Sequence, residues 1–118
     1  MTLNLLVIRT KNPEVLKTQY ELLGLSFKHH KHGNGPYHYA SELEHLVFEI
    51  YPLTKSMSKA DDSIRLGFSV PDVSKTIDNI KNTNWIIRSN PTETEWGLTA
   101  VLQDLDGRKV ELIKRLIL

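Results

Sequence analysis

The chain has 118 residues, 40% of them hydrophobic and 25% charged, with a net charge near +1 and no cysteine. That length suits one domain with a core of its own, and that charge gives no electrostatic pull toward nucleic acid or an anionic membrane. Disulfides and thiol chemistry are excluded, no apolar run reaches membrane-spanning length, and the opening Met1 to Arg9 lacks the basic segment and long apolar core of a secretion signal, so a cytoplasmic protein is expected.

Leu3 to Thr10 is a short aliphatic run of strand type. Asn12, Pro13 and Glu14 then form a helix start, with Asn12 as N-cap and Pro13 at the first helical position. Leu16, Tyr20 and Leu23 fall on one helical face, and Gly24 supplies the stop. Ser26 to His32 reads as a strand and Gly33-Asn34-Gly35-Pro36 as a hairpin turn. Tyr37 to Ser41 and His45 to Tyr51 are two further strands, so the first half is β-α-β-β-β. The polar, aperiodic stretch 52–62 reads as a linker.

The pattern then begins again. Ser63 to Val70 is a strand, Asp72 an N-cap, and Val73, Ile77 and Ile80 repeat the helical face. Asn82-Thr83-Asn84 breaks the helix, Trp85 to Arg88 is a strand, and Ser89 to Thr94 a polar loop. Glu95 to Gln103 and Lys109 to Ile117 complete a second β-α-β-β-β. The chain is therefore read as α+β, one domain of two βαβββ modules covering about 1–51 and 63–118.

Strand parity divides each module into two faces. Glu49 shares its side with His45, Val47 and Tyr51, opposite Leu46, Phe48 and Ile50. Leu5 goes with Leu3, Val7 and Arg9, and Arg65 with Gly67 and Ser69, opposite Ile64, Leu66, Phe68 and Val70. The apolar sides suit the helices, which leaves the others for a cavity. Near the end, Asp104, Asp106 and Gly107 supply turn chemistry before a strand in which Glu111 stands between Val110 and Leu112. Glu111 is either an interior polar group or an ordinary solvent-facing one.

This turn and strand, together with the repeated βαβββ order, resemble the glyoxalase, bleomycin-resistance and extradiol dioxygenase superfamily (vicinal oxygen chelate proteins). There an Asp-Pro-Asp-Gly turn precedes a strand whose Glu is the last metal ligand; here Leu105 stands for the proline. The resemblance implies paired modules forming a curved mixed sheet around a cavity, a small-molecule ligand and a homodimer. Metal-dependent relatives place His or Gln, Glu, His and Glu on their first, fourth, fifth and eighth strands. The matching positions here are Leu5, Glu49, Arg65 and Glu111, so both imidazole positions are lost. A leucine cannot ligate and a guanidinium repels a cation. The resemblance thus implies a protein without the family metal, needing no cofactor and closer to drug-binding resistance proteins than to metal lyases. A His-His-Glu dioxygenase or fosfomycin-transferase set keeps only Glu111. The competing reading is a glyoxalase- or dioxygenase-like lyase, isomerase or oxygenase with a displaced metal site or acid–base chemistry.

Arg9 matches a position where glyoxalase I enzymes hold a substrate carboxylate. Arg65 is expected to bridge Glu49 and Glu111 in place of the metal. Trp96-Gly97 resembles the Trp-Gly of bleomycin-resistance members, and Trp96 could line an aromatic pocket with Trp85, Tyr37, Tyr39 and Tyr51. The ligand-binding candidates are Arg9, Glu49, Tyr51, Arg65, Trp96 and Glu111; the candidates for catalysis are Glu49, Glu111 and His45. His38 and His45 are expected to border the cavity as potential acid–base groups. His30 and His32 share a strand face, but beside Lys28 and Lys31 they read as a solvated hairpin tip, too few for a metal site.

Overall fold

Asn12 and Asp72 open the two helices in the same way. Asn12 Oδ1 accepts from the Val15 amide at 3.3 Å and Asp72 Oδ1 from the Lys75 amide at 3.0 Å, each satisfying a donor that the first helical turn leaves unpaired. A computed structural model describes residues 1–114, and the chain divides into two compact units, the first Met1–Asp61 and the second beginning at Asp62.

The first unit runs β1 (Leu5–Thr10), α1 (Pro13–Glu21), β2 (Lys28–His30), β3 (His38–Glu42) and β4 (Val47–Pro52). Its four strands form one sheet in the order β1-β4-β3-β2, with β1 parallel to β4 and the other pairs antiparallel. Ile8, Phe48 and Ile50 are buried on the helix side with Leu16 and Tyr20, and Tyr20 meets the Phe48 ring edge-on at 5.4 Å. Each such side chain contributes about 1.5–3 kcal/mol by leaving water.

The second unit repeats the plan: β5 (Leu66–Val70), α2 (Val73–Ile80), β6 (Ile86–Thr94), β7 (Gly97–Gln103) and β8 (Lys109–Lys114), with sheet order β5-β8-β7-β6. Leu66, Ala100, Leu102, Val110 and Leu112 are buried, as are Val73, Ile77 and Ile80 of its helix. Asn82, at φ 65, ends that helical segment in the left-handed region that Asn tolerates. The architecture is the α+β pair of βαβββ modules expected from the sequence.

The strand limits differ in instructive places. The expected strand Ser26–His32 shrinks to Lys28–His30 at the outer edge of its sheet. Ser89 to Thr94, expected as a loop, is part of β6. That strand lies at a sheet edge and pairs with β7 through register shifts after Ile87 and Ser89. Edge position and bulges accommodate Pro91 and the polar side chains that suggested a loop. Of the expected final strand Lys109–Ile117, residues 115–117 lie outside the described residues.

Candidate functional site

The face of the first sheet opposite α1 is set by register. Leu5 pairs with Val47, Val7 with Glu49 and Arg9 with Tyr51, while Ala40 pairs with Glu49 and His30 with His38. Alternation therefore puts Arg9, His30, His38, Glu49 and Tyr51 on one surface. His38 is 1% exposed and Glu49 8%, so two ionisable groups are deeply set there. Among the described residues, a shallow concavity of about 230 Å³ lies beside them, lined by Ser26, Lys28, His30, Ala40 and Glu42.

The side chains on this surface stack in a row. The imidazole of His38 lies on the Tyr51 ring at 4.1 Å, with 7° between the planes. The Arg9 guanidinium sits over the same ring at 4.9 Å and donates to the Pro52 carbonyl at 3.0 Å. Burial, helped by the Glu49 carboxylate and opposed by Arg9, pushes the Tyr51 phenol above its ordinary value, so it remains a neutral donor. His38 Nε2 lies 3.0 Å from Glu49 Oε2, yet this buried nitrogen makes no hydrogen bond. The other ring nitrogen, Nδ1, donates to the Pro36 carbonyl at 3.2 Å.

The histidine-rich hairpin does not form an isolated solvated tip. His30 and His38 rings meet at 4.3 Å and His30 and His32 at 4.8 Å. One ligating atom from each of His30, His32, His38 and Glu49 lies within 4.8 Å of all the others. Sequence alternation had paired His30 with His32; only the strand register adds His38 and Glu49. Burial, His38 and His32 lower the proton affinity of His30. His29, on the opposite face, stacks on Tyr37 and Tyr39 instead.

Other sequence candidates fall elsewhere. His45 lies in the β3–β4 connection rather than on a strand, and is exposed with Glu44 at 3.8 Å. Leu5 begins β1 and is half-exposed. In the second unit Arg65 precedes β5 and pairs with Glu111 at 3.6 Å. Both side chains are well exposed, at 58% and 40%, so this is a surface pair and not the expected buried bridge; Glu49 faces His38. Trp96 stands exposed at the β6–β7 turn, whereas Trp85 is buried in the core. The family metal set does not fit these residues, since Leu5 carries no donor atom and Arg65 is cationic.

The turn that carried the resemblance holds a feature missed by sequence reasoning. Arg108 is fully buried, and its guanidinium donates to Asp104 at 3.1 Å and Asp106 at 2.8 Å. Those carboxylates outweigh burial and raise its pKa, locking the positive charge. Asp104 also accepts from the amides of Asp106 and Arg108 at 2.9 and 3.0 Å, and Gly107 takes φ 98. The cluster is structural, closing the turn before β8.

No family model matches the sequence, and neither does any curated protein. Solved structures match the fold. An antibiotic binding protein from Streptomyces sp. CB03234 aligns with TM-score 0.78 at 18% identity, over 98% of this chain and 97% of that one. A glyoxalase/bleomycin resistance protein from the same organism aligns with TM-score 0.75 at 19% identity, over 96% and 100%. A glyoxalase/bleomycin resistance protein/dioxygenase family enzyme from Burkholderia phytofirmans PsJN gives 0.73 at 16%, over 95% and 97%. The chain has the fold of the glyoxalase/bleomycin-resistance/dioxygenase proteins.

Proposed function

We propose that this protein binds a small organic molecule on the first sheet's face opposite α1, without a metal at the family's four-residue position. The row formed by Arg9, Tyr51 and His38 carries this reading. An aromatic platform flanked by a cation and the deeply set Glu49 carboxylate suits a planar ligand with polar substituents. The antibiotic binding protein of the same fold supports an antibiotic-like ligand class. Native mass spectrometry of gently purified protein, followed by calorimetry with planar antibiotics, tests it. Binding that Tyr51→Ala abolishes supports the proposal; affinity unchanged in Tyr51→Ala and Arg9→Ala overturns it.

The proposal includes a homodimer. Exposed apolar side chains, among them Leu3, Leu5, Ile86 and Trp96, offer surface that association would cover. Light scattering should give twice the 13.6 kDa chain mass; a monomer that persists on concentration removes this part alone.

A further inference from the structure

We infer that His30, His32, His38 and Glu49 form a binding site for a late first-row divalent metal, with zinc as the best-suited ion. This site shares only Glu49 with the family set, and its three imidazoles come from β2, the β2–β3 turn and β3. It shares His38 and Glu49 with the organic-ligand surface, but zinc binding is measured with no organic molecule present, so either reading can fail alone.

Two acceptor atoms lie close together at the centre of the cluster. With its Nδ1 proton given to the Pro36 carbonyl, neutral His38 has only a lone pair on Nε2, and Glu49 Oε2 lies 3.0 Å away. A lone pair and a carboxylate at that distance repel unless a proton or a cation lies between them. Nδ1–H bound to a backbone carbonyl is also the usual arrangement that orients a metal-bound histidine.

The surroundings favour a cation over a proton. His30 and His32 bring two more imidazoles, and the ligating atoms of all four residues fall within 4.8 Å of one another. Zinc–nitrogen bonds of about 2.0–2.1 Å put tetrahedral donors about 3.3–3.4 Å apart. His38 and Glu49 are fixed by burial, whereas half-buried His30 and exposed His32 can rotate inward to close the remaining gap. Three imidazoles with one carboxylate select zinc, cobalt, nickel or copper over the oxygen-seeking calcium and magnesium.

The test uses the full chain without a polyhistidine tag, stripped with chelator and titrated with zinc by calorimetry and with cobalt(II) by absorption. One equivalent should bind at submicromolar affinity, and cobalt should show the visible bands of a four-coordinate site. Outer-sphere partners alone are worth about 10–100-fold in metal affinity, so His32→Ala and Glu49→Gln should each weaken zinc by at least that much. The double variant H30A/H32A should abolish binding while circular dichroism stays unchanged, because both residues sit near the exposed hairpin end. His29→Ala, His45→Ala and Glu111→Gln should leave affinity as it is. Micromolar or weaker binding, equal affinity in H30A/H32A, or loss on Glu111→Gln would overturn the site.

Discussion

Arg108 and Asp104 form a fully buried ion pair, with Nη1 3.1 Å from Oδ2 and neither side chain exposed. Asp104 spends its other oxygen on two backbone amides, so the pair and the turn are one object. Truncating one partner of such a pair strands the other in a poor solvent and typically costs about 3–5 kcal/mol. Arg108→Ala should therefore lower stability by that amount in urea denaturation. Arg108→Lys keeps the charge but not the fork, and should recover only part of it. A loss below about 1 kcal/mol for Arg108→Ala would show that the pair is not desolvated.

The Arg65–Glu111 pair is predicted to behave in the opposite way. At 3.6 Å, with both side chains open to water, it has the separation and screening of a surface contact. Arg65→Ala should cost under about 1 kcal/mol, and added salt should shrink the effect further. A loss near that of Arg108→Ala, measured under the same conditions, would contradict this.

A pH effect should arise from His30 in metal-free protein. Burial, His38, His32 and His29 hold its proton affinity below the ordinary value near 6.5, against the attraction of Glu49. The unfolded chain then binds more protons than the folded one just below that pH, so stability is full above about 6.5 and falls as pH drops through the folded-state value. Denaturation midpoints should decline on acidification, and His30→Gln should flatten that limb. An identical slope in His30→Gln would place the titration on other groups.

The sequence by itself determined the fold. Asn12 and Asp72 each precede an amphipathic helix, and strand alternation separates Phe48 and Ile50 from Glu49. These are local signals: a cap acts within one turn, and successive strand residues point to opposite faces. Edge strands were the weak point, because a strand bonded on one side needs neither continuous apolar residues nor every amide, and β6 carries Pro91 and a polar run.

Only the tertiary structure decided which polar residues meet. His30 and His32 looked like a solvated tip because nothing local reveals that β2 pairs His30 with His38, or that β4 brings Glu49 alongside. Nothing local singles out Arg108; only the closed turn brings Asp104 and Asp106 around its guanidinium. In both cases register and turn closure fix distances between side chains remote along the chain, and those distances decide whether a charge is solvated, paired or poised for a metal.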